Sequence, residues 1–522
     1  MGFDAPQTGN KKQKRWSGMG LKGSMALRGL IVAAMILPPL GALAQDVVTK
    51  EYDDGGIYEG TFKDGKQHGQ GSYKLPNGYE YSGDWVEGEI LGQGIAHYPN
   101  GSVYVGAFVK GKPEGKGKIT FADGGTYEGD WVNGEIEGQG SAHYANGVTY
   151  SGGFTKALHN GTGKMESPGG YTYEGDWVMG VKEGKGKITY PDGAVYEGDM
   201  LRGQRAGQGK LTLADGLTYD GAWVDGQMNG QGKLTQPNGD VYEGGFAAGK
   251  RDGQGTLTYA TGDVYEGSFA ADKRQGKGVF RGTDGYIYDG AWVEGRIEGT
   301  GKVTYPDGSV YEGQFARDLA NGKGKITYAD GATYDGDWKD GVIEGEGIAT
   351  YANGLVYEGA FKAGKNDGKG KMTYRDGYTY DGDWKAGQRA GQGVATYADG
   401  TVYTGGFVDG QREGQGEIVM PDGFRYSGEW KAGEIDGKGV ATYANGDVYE
   451  GNFVKGKRQG QGVMRYATGE TEAGTWTEGA LTEEAPVPDA SAPDATAPDA
   501  AATPPADATP PQDGTAPPPA AN

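Results

Sequence analysis

From Tyr58 to Trp476, apolar and polar residues alternate in short bursts that break at glycine, and the same burst returns every 23 residues. It is clearest at Val103-Tyr104-Val105-Gly106-Ala107-Phe108. Tyr104, Gly106 and Phe108 stand at i, i+2 and i+4, which places them on one face of a β-strand, with Val103, Val105 and Ala107 on the other. After Gly111 a second alternating run, Gly115 to Phe121, predicts a second strand. Its one side carries Gly115, Gly117, Ile119 and Phe121, and its other side Lys116, Lys118 and Thr120. Asp123-Gly124 follows, then the next strand, led by Tyr127. Asp-Gly or Asn-Gly holds this place in 16 of 19 units, the exceptions being Gly169-Gly170, Thr261-Gly262 and Thr468-Gly469. Such pairs favour the positive φ angles of two-residue hairpin turns, so each unit reads as a hairpin turning at that pair. A fixed period without insertion marks a repeat array. The expected fold is all-β: an elongated single-layer antiparallel β-hairpin array.

The glycines have a packing reason. Gly106 lies between two ring-bearing positions on its own strand, with Gly115 and Gly117 on the neighbouring one. Lacking side chains, they let rings lie flat across the sheet, and they permit strong twist, so a twisted ribbon is expected. Two strands per unit at about 4.8 Å give roughly 9.6 Å per unit, or on the order of 180 Å in all. A second period of 46 residues overlies the first: Phe62, Trp85, Phe108, Trp131, Phe154 and Trp177 alternate four residues after each tyrosine. Met200 then takes a Phe place, the phase slips at Phe246 and Phe269, and alternation resumes from Trp292 to Trp476.

Composition sharpens this picture. A chain of 522 residues with 105 glycines and 35% hydrophobic residues cannot build ordinary globular cores, so its 35 Tyr, 13 Phe and 10 Trp must supply the buried area. Residues 1–44 carry six basic side chains against Asp4, a balance of +5, so subtracting it from the total of −21 leaves −26 on residues 45–522. An acidic rod repels phosphate, which argues against nucleic acid and anionic membrane surfaces as partners. The absence of cysteine excludes disulfides, thiolate metal sites and a lipid-modified cysteine.

Residues 1–44 read as an export signal with a basic leader. Arg28 precedes the apolar run Leu30 to Leu37, Pro38-Pro39 break it, and Ala42-Leu43-Ala44 offers a small-x-small site, predicting cleavage between Ala44 and Gln45. The leader is long, and Met19 or Met25 is an alternative start. The run is short of the roughly 20 residues a spanning helix needs, so export to the periplasm or cell envelope is expected, with secretion or an N-terminal anchor as alternatives. Residues 45–51 lead in, 52–479 form the array, and 480–522 are an Ala/Pro/Asp-rich tail with 11 of the 22 prolines and no Lys or Arg, expected to be disordered.

No catalytic constellation emerges. An acid follows the repeat tyrosine in 13 of 18 units, as at Glu59, Glu128, Glu174, Glu197, Asp220 and Glu243, on the face opposite the rings. Thirteen equivalent carboxylates describe a solvated face, offset by second-strand lysines such as Lys116, Lys118, Lys185 and Lys187, rather than an acid/base pair. His68, His97, His143 and His159 read as scattered surface histidines, with no metal-ligand spacing among them. The one Gly-x-Gly-x-x-Gly, Gly18 to Gly23, lies in the leader with no strand before it. No cofactor, metal or catalytic residue is expected.

The unit Tyr-Glu-Gly-x-Phe/Trp-x-x-Gly-x-x-x-Gly-x-Gly, as in Tyr127-Glu128-Gly129-Asp130-Trp131 through Gly134, Gly138 and Gly140, resembles the MORN repeat over residues 52–479. The resemblance implies a ribbon of hairpins acting as a non-catalytic module for self-association, scaffolding or, in some members, phospholipid contact. The leading expectation is therefore an exported scaffold or spacer that binds a protein or a second copy of itself. The alternative is a cell-surface or periplasmic ligand-binding repeat protein that recognises glycan or lipid through its aromatic stripe. That stripe comprises Tyr81, Trp85, Tyr127, Trp131, Tyr173, Trp177, Tyr219, Trp223, Tyr288, Trp292, Tyr334, Trp338, Tyr380, Trp384, Tyr426 and Trp430.

Overall fold

A computed structural model describes residues 46–486. The expected cleavage site at Ala44-Gln45 and the tail from 487 onward lie outside the described residues. Within them the chain forms 39 strands, β1 (Val48–Glu51) to β39 (Ala480–Glu484), in one open antiparallel sheet with no helix. Each strand pairs with the one before and the one after it, as β6 (Val103–Val109) pairs with β7 (Lys112–Thr120) and β7 with β8 (Thr126–Val132). The unit is thus a seven-residue strand, a nine-residue strand and two connections.

The two connections differ from the expectation. The two-residue turn is at Lys110-Gly111, where φ is +51° and +75°, the conformation of a type I′ turn. The Asp-Gly pair sits at the other end, in a three-residue loop. Gly124 N–H donates to the Phe121 carbonyl at 3.0 Å, and Phe121 N–H donates to the Gly125 carbonyl at 2.8 Å. Only Gly124 has positive φ (+89°), and Asp123 Oδ1 accepts the Gly125 N–H at 2.9 Å. The aspartate is chosen for that side-chain bond, which mimics a backbone turn, and not for a left-handed backbone. As a result the second strand starts at Lys112, three residues earlier than the alternating run suggests, and Phe121 falls in the loop.

The ring face behaves as the glycine pattern predicts. Tyr104 lies over Gly106 and Gly117, which are paired across the strands, and its hydroxyl donates to the Ala107 carbonyl at 3.0 Å. A register shift between Gly106 and Phe108 accommodates this arrangement. Most repeat tyrosines then meet two rings edge-on: Tyr104 is 5.0 Å from Phe108 in its own unit and 5.0 Å from Trp131 in the next, whereas Tyr173 and Tyr196, flanking Met200, meet one tryptophan each. Edge-to-face pairs of this kind contribute about 0.5–1.5 kcal/mol each beyond the area they bury. The ladder of rings is the core, and it runs the full length of the sheet.

Candidate functional site

Rings first. All sixteen residues of the expected partner-binding stripe lie in this core: Tyr81 is 1% exposed, Trp85 5%, Tyr127 2% and Trp131 6%, and the remaining twelve are buried as deeply. The stripe therefore presents no open aromatic platform. What closes it is the second residue of each nine-residue strand, which crosses the ring edges. Ile136 does so by apolar contact, and Arg205, Arg274, Arg412 and Arg458 do so with guanidinium carbons 4.0–4.4 Å from a tryptophan centroid in the following unit. Arg205 also donates to the Gly226 carbonyl at 2.8 Å, so the cation ties one hairpin to the next. Every tryptophan in the sheet makes a similar link, as Trp131 Nε1–H does to the Gly117 carbonyl at 3.2 Å.

Two cover residues are titratable in unusual surroundings. His159, expected at the surface, stacks on Tyr150 at 3.6 Å between ring centroids and bonds to Tyr144 Oη at 2.7 Å. Burial drives its pKa down to about 4. Lys182 Nζ lies 4.5 Å from the Tyr171 ring centroid and 5.0 Å from that of Tyr173, and burial lowers its pKa too. The same burial pushes the Tyr104, Tyr127 and Tyr150 phenols up to about 12. These shifts follow from covering a core and involve no reacting group.

The opposite face is the open one. Between Gln93 and Asp220 the sheet curls into a groove of about 1860 Å³, floored by Gly106, Gly117, Gly129 and Gly140 and lined by the acids and lysines. Lys118 pairs with Glu128 at 3.3 Å, Lys233 with Glu243 at 2.6 Å, and Lys116 with Asp130 at 2.7 Å. Lys116 holds the Asp130 carboxyl below the usual range, helped by the Gln139 N–H at 2.9 Å. Lys185 does the same for Asp199 at 2.5 Å, helped by the Gln208 N–H. Among the described residues no group of three His, Cys, Asp or Glu side chains is arranged to hold a metal ion.

Other acids serve the turns, a role the sequence reading did not assign. Glu114 accepts the N–H of Asn133, the first turn residue of the next unit, at 2.8 Å, and Glu137 does the same for Lys156 at 3.0 Å. The signal was available: a Glu, Asp, Asn or Gln nineteen residues before most two-residue turns. Along that turn edge, on the groove side, runs a rim of exposed aliphatic residues: Val86, Val109, Val132, Val178, Leu201 and Val224, each 37–52% exposed. Farther along the same row the residue varies: Ala247, Ala270, exposed Val293 and Ala316 come first, then Lys339, Lys362 and Lys385, then exposed Val408, Lys431 and exposed Val454.

A family model of the MORN repeat matches seventeen segments of the chain: 58–78, three units over 81–149, four over 173–264, 265–285, three over 288–356, 357–377, and four over 380–471. Together they span more than half of it. Alsin of Rattus norvegicus is 40% identical over 53 residues, 9% of this chain, and the match spans 3% of that protein's length. Among solved structures, the TCP domain of Drosophila melanogaster SAS-4 in complex with a proline-rich motif of Ana2 overlaps 33% of this chain and 86% of its own. It is 16% identical, with a TM-score of 0.20. The TCP10 domain of Danio rerio CPAP overlaps 42% of this chain and 93% of its own at 15% identity and a TM-score of 0.19. Superpositions this partial say nothing of chemistry. The repeat matches are of another order, and by their extent the chain belongs to the MORN repeat family.

Proposed function

We propose that this protein is an exported, non-catalytic scaffold or spacer of the cell envelope, a rod whose polar face and rims engage a protein partner or a second copy. MORN repeats serve generally as interaction modules for protein or membrane contact, and this array fills most of the chain. The observation that carries the reading is the disposition of the titratable groups. Among the groove's carboxylates Glu128 and Glu197 are held in cross-strand ion pairs and Asp176 accepts the Lys185 N–H, while turn acids such as Glu114 cap backbone amides. The buried rings weigh against glycan recognition through the aromatic stripe, because a sugar-stacking ring must expose its face. Net charge of −26 beyond the leader weighs against an anionic lipid surface.

The test is made on the full chain expressed in a bacterial host with an envelope. The expected outcome is recovery from the envelope fraction with Gln45 as the new N-terminus, and small-angle scattering from a rod with a longest dimension on the order of 180 Å. Recovery from the cytoplasm with residues 1–44 retained, or a compact scattering envelope, would overturn it.

A further inference from the structure

The loop edge carries a second row of rings, apart from the buried stripe. Among the described residues two aromatic side chains are exposed, Phe121 at 38% and Tyr144 at 41%, and they stand on neighbouring loops. Each opens its loop, and half-buried Tyr98 opens the one before. Phe121 is uncovered because Gly125, across the loop, offers it no side chain. Tyr144 is fixed by its hydroxyl, 2.7 Å from the ring of His159, which itself stacks on Tyr150 in the core. Charge thins out at the same place. The loops at 75–79, 98–102, 121–125, 144–148 and 167–171 carry one carboxylate between them, Asp123. Every loop from 190–194 to 443–447 carries at least one of its own, that at 351–355 excepted. At the loop tips Asn100 and Asn146 are exposed. Each uses its Oδ1 to accept a backbone N–H two residues on, at 3.0 and 3.1 Å, which leaves Nδ2 to a ligand.

We propose that this edge, from Tyr98 to Tyr144, binds the glycan of a cell wall, an extended β-1,4-linked chain of N-acetylhexosamines. The proposal rests on the envelope reading and names what the rod meets there. Ring chemistry chooses a sugar: the π face carries negative charge, and the flat face of a pyranose presents weakly positive C–H groups to it. An edge stripped of charge on a strongly acidic chain suits a ligand held by ring contact and a few placed amides. Spacing chooses the linkage. Phe121 and Tyr144 are one unit apart, roughly 9.6 Å. In an extended β-1,4 chain each sugar is turned over relative to the last, so the same face returns every second sugar, after a length close to that rise. Rings at this interval read alternate sugars and leave the intervening ones free to carry substituents. Pro99, Ala122 and Ala145, exposed beside the three rings, meet the acetamido methyls, and Nδ2 of Asn100 and Asn146 donates to the acetamido carbonyls. Three loops offer on the order of 200 Å², enough for several sugars and far short of the roughly 800 Å² per partner of a stable protein interface.

Calorimetric titration of the purified full chain with chitohexaose, the probe for the sugar backbone, is expected to show saturable binding. Phe121→Leu keeps an apolar side chain in the loop but removes the π face. It is expected to weaken binding by roughly tenfold or more, with far-UV circular dichroism unchanged. Tyr144→Phe keeps the ring and is expected to lose much less than Tyr144→Leu. Cellohexaose, the same backbone without acetamido groups, is expected to bind more weakly than chitohexaose. Purified bacterial sacculi are expected to sediment the chain, and chitohexaose to compete it off. No binding of chitohexaose, undiminished binding by Phe121→Leu, cellohexaose binding as tightly, or sacculi that leave the chain in solution would each overturn this site. A protein held through Phe121 by a chain that ignores chitohexaose would overturn it too. Failure of the envelope reading shows separately, as a cytoplasmic chain that retains residues 1–44, and the titration does not depend on where the chain was made.

Discussion

Gly278→Ala isolates the contact on which the ribbon depends. A Cβ built on Gly278 would stand 2.6 Å from Cε2 and Cζ of Tyr265, with the hydroxyl nearer still, so the ring must lift off the sheet. Lifting it strains the hydroxyl's bond to the Ser268 carbonyl (3.1 Å), worth about 1 kcal/mol. It also disturbs the edge-to-face contacts with Phe269 at 5.2 Å and Trp292 at 5.3 Å, about 0.5–1.5 kcal/mol each. With overpacking strain of about 1–3 kcal/mol, the expected local cost lies between about 3 kcal/mol and, if every contact is lost, about 7 kcal/mol. Gly278 does not adopt positive φ, so the backbone has no objection to alanine. Replacing Tyr265 by Val removes the ring, and Gly278→Ala in that background should cost nothing or stabilise slightly, because alanine loses less chain entropy than glycine. Gly267→Ala is the control: its Cβ would meet the Gly278 Cα at 2.5 Å, an obstacle the Tyr265→Val change leaves in place. Hydrogen exchange of the amides in 264–281 reads the local free energy without requiring the whole array to melt. If Gly278→Ala costs the same with and without the Tyr265 ring, ring-over-glycine packing is not what the glycines are for.

Three further outcomes follow from particular residues. His159 is neutral in the folded chain down to about pH 4 and has an ordinary pKa when unfolded, so the unfolded state binds the extra proton between pH 6.5 and 4 and stability falls as pH drops through that window. Allowing for its partial exposure, about 1–2 kcal/mol is lost locally; urea melts at pH 7 and pH 4.5 should show it, and His159→Met should abolish the difference. The buried phenols have the opposite sign: raised to about 12, they favour the fold below pH 10 and withdraw that support as pH climbs toward 12. Absorbance titration should find the core tyrosines ionising together with unfolding, and ionisation near pH 10 with the sheet intact would refute their burial. At the turn, Ala157 takes φ +59° where most units have glycine, so Ala157→Gly should stabilise that hairpin by about 1 kcal/mol in hydrogen exchange. Asp318 at the same place earns its left-handed backbone by accepting the Ile297 N–H at 2.7 Å, and Asp318→Gly should bring no such gain.

The sequence made the sheet legible because one face is specified redundantly: Tyr104, Gly106 and Phe108 leave only one strand orientation that seats a ring over glycine. The turns were read in reverse because Asp-Gly is a strong local signal with two structural meanings, a two-residue turn or the end of a three-residue loop. The extra room at Phe121 to Gly125 decides between them. The burial of the stripe was not legible, since it depends on the cover residue, which varies from Ile, Met, Ala and Pro to Gln, Asn, His, Lys and Arg. Burial at the loops was equally hidden. Phe121 faces Gly125 and is 38% exposed, while Tyr374 closes on Tyr378 at 5.0 Å between ring centroids and is 3% exposed. The difference lies in a closing residue that no periodicity constrains. The aliphatic rim went unread for a related reason: a valine before a turn is ordinary until its neighbours across the hairpin are known.

The register of 23 has a mechanical corollary. Each hairpin is bonded only to its two neighbours, through the same backbone pairs, the same ring contacts and the same turn caps. Deleting or adding one whole hairpin therefore breaks no kind of interaction, and it shortens or extends the molecule by roughly 9.6 Å. Copy number acts as a gauge: the gap such a protein bridges can be reset in steps of about a nanometre, with the chemistry at both ends untouched.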